Sequence, residues 1–242
     1  MKHLRSTLVT VLIVLLVTLM VVIVNNCDNN MPVYIYEGSL PGPKVCFIGS
    51  VHGNEPAGGN ALQNMINDGT FDNVQRGTVK VIPSPNPVGV MLNMRWQPLK
   101  LTNRDLNRNF IDGGLDDKSR RILKEVEEYD IVIDIHEGWG FNKLEPTSLG
   151  STLSPSNTKV AVILANMMID SVNTSIDEEY KKYGILPDRS CELRGTLACN
   201  SQTNGRSHVL IEITGQRNRQ PLSLREMHAQ VFITKVLEEL SF

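Results

Sequence analysis

Cysteine is scarce in this chain. Its 242 residues include four, Cys27, Cys46, Cys191 and Cys199, too few for a disulfide-built scaffold, so a hydrophobic core has to hold the fold. A surplus of either charge is also missing. The formal net charge is -2, from 24 basic and 26 acidic side chains. Only Lys2, Arg5 and Asp28 of these precede residue 31, so the remainder is slightly acidic and has no basic field for nucleic acid. There is no internal repeat, and the only low-complexity segment lies at the N-terminus. No Lys or Arg falls between Arg5 and Lys44.

The N-terminal segment is an unbroken run of Leu, Val, Ile, Met and Thr over residues 8–24. At helical rise it reaches about 25 Å, near the thickness of a bilayer core. It exceeds the apolar stretch of a secretory signal, and no small-x-small cleavage site follows. The expectation is a signal anchor, with secretion after cleavage as the alternative. Lys2, His3 and Arg5 precede the run, so the positive-inside rule leaves the N-terminus in the cytosol and the rest extracytoplasmic. Val24-Asn25-Asn26 before Cys27 is a poor match to a lipid-modification signal. Residues 1–30 are thus read as tip, anchor and linker, and residues 31–242 as one domain of ordinary globular composition.

Within that domain, apolar runs at 33–36, 44–48, 78–82, 131–135 and 209–211 read as strands, the first two as a hairpin around 39–43. Helical periodicity marks 56–67, 116–129, 159–171 and 222–240. This alternation predicts a three-layer α/β/α fold with a central mixed, largely parallel twisted sheet, preceded by the N-terminal transmembrane helix. In such sheets the reactive groups gather beyond the carboxyl ends of the strands. His52, Asn86, His136 and Glu212 all follow a predicted strand.

The stretch Gly49-Ser50-Val51-His52-Gly53-Asn54-Glu55-Pro56 places a histidine and a carboxylate three positions apart at the mouth of a helix. There both face one side and can converge on a metal. A capping glutamate on a surface loop is the bland alternative. His136, at the end of Ile131-Val132-Ile133-Asp134-Ile135, would complete a two-histidine, one-carboxylate set that leaves a position open for water. Asp134 is a candidate to orient a ligand, whereas Glu137 points to the other side of the strand. Between residues 83 and 110 the chain is irregular and rich in Asn, Asp and Arg. Arg108 offers a planar fork for a carboxylate with Asn107 beside it, and Arg95 offers a fixed cation for a developing oxyanion. Cys191 and Cys199 flank a loop and could bridge in an oxidising compartment.

These elements resemble the zinc carboxypeptidase superfamily: His-Gly-Asn-Glu, Asn-Pro-x-Gly followed by an arginine, Asp-Leu-Asn-Arg-Asn-Phe, a strand ending Asp-x-His and a late strand ending in glutamate. The resemblance covers about residues 44–240. It implies one zinc ion held by His52, Glu55 and His136, a carboxylate clamp of Asn107 and Arg108, Arg95 polarising the scissile carbonyl with Arg104 as its rival, and Glu212 as general base. The short Glu55-to-His136 segment and Arg194-Gly195-Thr196-Leu197 are more similar to murein peptide amidases and to the succinylglutamate desuccinylase/aspartoacylase branch. The implied activity is hydrolysis of an amide bond beside a free carboxylate, on a peptide or an N-acyl amino acid. A non-catalytic binding protein on the same fold is the third reading.

Overall fold

The computed structural model describes residues 2–187 and 190–240, without the side chains of residues 2–8, 23, 25, 27–29, 190 and 240. Expectations placed on the side chains of Lys2, His3, Arg5, Leu8 and Cys27 lie outside the described residues.

Among the described residues, seven strands form one mixed sheet: β1 (Tyr34–Glu37), β2 (Leu40–Gly49), β3 (Arg76–Ile82), β4 (Ile131–Gly138), β5 (Thr152–Pro155), β6 (Gly184–Ile185) and β7 (Ser207–Thr214). Their order across the sheet is β1-β3-β2-β4-β7-β5-β6. The central strands β3, β2, β4 and β7 run parallel, and β1 and β5 join them antiparallel. Buried on both faces, β4 needs an almost continuous apolar sequence, which Ile131, Val132, Ile133 and Ile135 supply.

Odd-numbered residues of β4 and β7 (Ile131, Ile133, Ile135, Val209, Ile211, Ile213) pack on the first of two helical layers. That layer comprises α2 (Pro56–Asn67), α5 (Lys159–Asn173) and α7 (Leu222–Leu240). Cys46, Ile48 and Val132 face the opposite layer. It contains α4 (Asp117–Val126), capped by a reciprocal Asp116–Ser119 box, and α6 (Leu197–Thr203). Side chains such as Phe47 and Ile133 are fully buried, each contributing roughly 1.5–3 kcal/mol of transfer free energy.

Two expectations need correction. Residues 33–48 do not form a hairpin, because β1 pairs with β3, Tyr34 opposite Val81. Residues 38 and 40 turn onto 77 and 75 through backbone bonds of 2.9 and 3.1 Å, which places β3 between β1 and β2. The N-terminal helix α1 (Lys2–Asn29) is present, but among the described residues no helix is long and apolar enough to cross a membrane. The transmembrane helix expected over residues 8–24 is therefore not supported. Four elements had no counterpart in the strand and helix expectations: β5, β6, α6 and the short helix α3 (Pro87–Met91).

Candidate metal centre

Strand β2 ends in a turn that Ser50 enters with φ of 45°, a left-handed conformation rare outside glycine. The turn throws His52 back over the end of the sheet. Close packing of two loops then sets its position. A Cβ on Gly53 would lie 2.0 Å from the carbonyl carbon of Gly89, so only glycine lets this loop lie against the Asn86-Pro87-Val88-Gly89 turn. Asn86 caps α3 by accepting from the Gly89 N–H at 3.3 Å. Glu55 stands at the N-cap position of α2 without capping it. Its carboxylate turns instead to the histidines.

His52, Glu55 and His136 are all buried and each offers one ligand atom, these atoms lying within 4.8 Å of one another. His52 Nδ1 is 2.9 Å from Glu55 Oε1, and His136 Nδ1 is 2.7 Å from Glu55 Oε2. The two Nδ1 atoms face each other at 3.1 Å. Two neutral imidazoles aimed this way would oppose their lone pairs, and two imidazolium ions would repel. A cation between them removes both conflicts, so the donor set fits a metal with nitrogen and carboxylate ligands.

Both outer ring nitrogens lie beside carboxylates. His52 Nε2 lies 3.1 Å from Asp105 Oδ1, and His136 Nε2 lies 3.2 Å from Asp134 Oδ2. Asp134 is two residues before His136 and therefore on the same face of β4. His208, on the same side of β7, approaches Asp134 Oδ2 to 3.9 Å. A proton on each outer nitrogen, facing its carboxylate, would leave Nδ1 free for a metal. Burial lowers the pKa of both histidines, but the surrounding negative charge outweighs it and both are raised: Glu55 first for His52, Asp134 first for His136. Against the opposing effect of burial, the same pairs hold Glu55, Asp105 and Asp134 well below the usual carboxylate range.

Arg95 reaches this cluster. It donates to Glu55 Oε1 at 3.2 Å and to Asp105 Oδ2 at 3.1 Å. Arg104 does not: it is exposed, and among the described residues its side chain has no ion pair. Asn107 is buried and occupied, its Oδ1 accepting from the Leu197 N–H at 2.9 Å and its Nδ2 standing 3.4 Å from His136 Nε2. Arg108 is half-buried and donates to the Asn107 carbonyl at 2.6 Å, which leaves most of its guanidinium N–H groups for a ligand.

Glu212 comes from β7, in register with His136 on the neighbouring parallel strand. Partners in adjacent strands sit about 5 Å apart and project to the same face. Burial pushes the Glu212 carboxyl up to about 7, the charges of Glu55 and Asp134 adding to the rise while His136 and His52 oppose it. No hydrogen bond from the described residues engages it. Glu137 faces the other layer, accepting from the Ala57 N–H at 2.8 Å and pairing with buried Arg225.

Two contributors escaped the sequence reading. Asp105 supports His52 and Arg95 together; its signal was its place in Asp105-Leu106-Asn107-Arg108, where only the last two residues drew attention. Gln216 donates to Glu55 Oε1 at 2.9 Å and to the Glu137 carbonyl at 2.5 Å, and no motif marks it.

A mixed sheet with a His-x-x-Glu loop beyond one strand, a second histidine near the end of the next and a glutamate beside it defines the zinc carboxypeptidase-like class. Within that class, residues 41–233 match the succinylglutamate desuccinylase/aspartoacylase catalytic domain, and the chain belongs to that family. Among solved structures it resembles the tripeptide-bound cell shape determinant Csd4 of Helicobacter pylori (TM-score 0.70, 20% identity, covering 87% of this chain and 55% of that one). The mDAP-bound form of Csd4, described as a D,L-carboxypeptidase, is similar at TM-score 0.69, with 20% identity over 86% of this chain and 54% of that one. Succinylglutamate desuccinylase/aspartoacylase of Rhodobacter sphaeroides follows at TM-score 0.60, with 19% identity over 87% of this chain and 59% of that one. The chain thus spans little more than half the length of these proteins. No curated protein matches it.

Proposed function

We propose that this protein is a zinc-dependent hydrolase that cleaves an amide bond next to a free carboxylate, as a metallocarboxypeptidase or peptide amidase. The observation that carries this reading is the register pairing of Glu212 with His136, which sets an unengaged carboxylate beside the three-ligand cluster. His52, Glu55 and His136 would hold the ion. Bound there, zinc would supply a Lewis acid and a water that ionises near neutral pH.

The chain's own residues do the rest. Glu212, its carboxyl poised near neutrality, accepts a proton from the attacking water and returns it to the leaving amine. Arg95 places a guanidinium where the carbonyl oxygen gains charge. Asp105 holds both Arg95 and His52, so the cation and the ligand keep one geometry. Arg108 pairs with the substrate's free carboxylate, and Asn107 shapes the floor beneath it.

The family match favours a second reading, an N-acyl amino-acid deacylase acting on a smaller substrate with the same centre. Hydrolysis of a peptide panel and an N-acyl amino-acid panel, before and after chelation, separates the two. Glu212→Gln should lose several orders of magnitude in turnover while still binding zinc; normal turnover in that variant would sink the mechanism.

Attachment to a membrane through residues 8–24, with the domain of residues 31–242 outside the cytosol, belongs to the same proposal. Its support is the apolar run itself and the exposure of Val9, Val11, Leu12, Ile13 and Val14, which point to all sides of α1. Sedimentation with membranes that survives carbonate washing is the expected result.

A further inference from the structure

We propose that Cys191 and Cys199 close into a reversible disulfide that fastens the segment 192–198 to the strip 107–110 at the edge of the candidate centre. Their sulfurs stand 2.7 Å apart, so a small movement brings them to the bond length of about 2.05 Å. Cys191 lies over the first turn of α6, its sulfur also 3.8 Å from the Cys199 carbonyl oxygen. Both sulfurs can be reached from solvent, Cys191 being exposed and Cys199 half-buried. Cys46, the remaining described thiol, is sealed inside the sheet and cannot compete.

The bracketed segment is what makes the bond consequential. The Gly195 carbonyl accepts from the Phe110 N–H at 3.0 Å, and the Leu197 N–H donates to Asn107 Oδ1 at 2.9 Å. Gly195 has φ of +85°, and a Cβ there would lie 2.3 Å from the Arg108 carbonyl oxygen. Thr196 caps α6 through the Cys199 N–H at 3.1 Å, and Asn200 Nδ2 donates to the Phe110 carbonyl at 3.1 Å. A cross-link between residues 191 and 199 therefore closes a short loop whose middle touches Asn107, Arg108 and Phe110.

The chemistry is thiol–disulfide exchange with a small-molecule or protein disulfide as oxidant. Burial and the contact with Cys191 raise the Cys199 thiol, so exposed Cys191 is the sulfur an oxidant meets first. Its thiolate attacks one sulfur of the oxidant and expels the other as a thiol. Cys199 then gives up its proton, attacks the mixed disulfide on Cys191 and releases the second thiol. Two electrons and two protons pass from the protein thiols to the oxidant, and one S–S bond forms. The bond itself is independent of the proposed function. Its influence on the Arg108 clamp rests on that reading.

The test equilibrates the full chain in oxidised and in reduced glutathione, traps free thiols by alkylation, and measures peptide linkages and melting temperature. Expected are a peptide joining Cys191 to Cys199 in the oxidised sample and a rise of roughly 5–10 °C in melting temperature. The rise should be absent from Cys191→Ser and from Cys199→Ser, whose reduced-state melting should match the reduced parent. Alkylation of both thiols under oxidising conditions overturns the proposal, as does a bond mapped to Cys27 or Cys46, or a bond that leaves melting unchanged. Where a substrate is turned over, oxidation should lower KM several-fold with kcat little altered. A chain that turns over no substrate but forms the bond refutes the proposed function and leaves the disulfide standing.

Discussion

The Nδ1 atoms of His52 and His136 face each other at 3.1 Å, each also directed at one oxygen of the Glu55 carboxylate. Nitrogen lone pairs are brought this close in a protein interior when something positive is meant to lie between them. The first prediction is that the purified protein takes up one zinc ion, and that zinc at about a hundredfold above its Kd raises the melting temperature by roughly 5–10 °C. His52→Ala and His136→Ala should each abolish that rise. Calorimetric titration with zinc alone checks it without any substrate.

Asp134 and Asp105 hold the far sides of the two imidazoles. Asp134→Asn should weaken zinc binding about 10–100-fold by loosening the tautomer of His136. Asp105→Asn should do the same through His52, and it should also release Arg95. Competition with a chelator of known affinity reads both. Unaltered affinity in both variants would show that the carboxylates hold the fold and not the ligands.

The Glu212 carboxyl is harder to ionise folded than unfolded, its pKa rising from 4.5 to about 7. A carboxyl shifted upward stabilises the fold while it is protonated, fully below about 4.5, and that contribution is lost as pH climbs to about 7. Glu212→Gln stays neutral throughout. Metal-free Glu212→Gln should therefore gain melting temperature over the parent steadily between pH 4.5 and 7 and hold a constant advantage above. A difference that is flat across this window would mean that Glu212 ionises like an exposed carboxylate.

Glu137 is buried against Arg225 and the first turn of α2. Arg225→Met leaves that carboxylate without its cation and should cost about 3–5 kcal/mol of stability. The double variant Glu137→Gln with Arg225→Met should recover much of the loss, since no uncompensated charge remains. Urea denaturation of the parent, Glu137→Gln, Arg225→Met and the double variant measures the coupling.

Much of the candidate centre was legible because its residues sit in short stretches that obey local rules. His52 and Glu55 are three apart at a helix mouth, Asn107 and Arg108 are adjacent, and Glu212 ends an apolar run. The alternation of apolar strands with amphipathic helices was enough for the α/β class. Local patterning could not disclose Gln216, whose contact with Glu55 spans most of the chain, nor the double duty of Asp105. It also misjudged β1, because a strand's partner depends on which edge is free and not on which strand comes next.

By itself the sequence determined the class of fold, the identities of the three ligand candidates and the polarity of the loops around them, since each follows from residue type and periodicity. The tertiary structure alone decided which groups meet. It placed His136 beside Glu212 by strand register, brought Arg95 and not Arg104 to the cluster, and set Cys191 against Cys199. Periodicity acts within one element, whereas distances between elements come from packing the whole sheet between its two layers of helices.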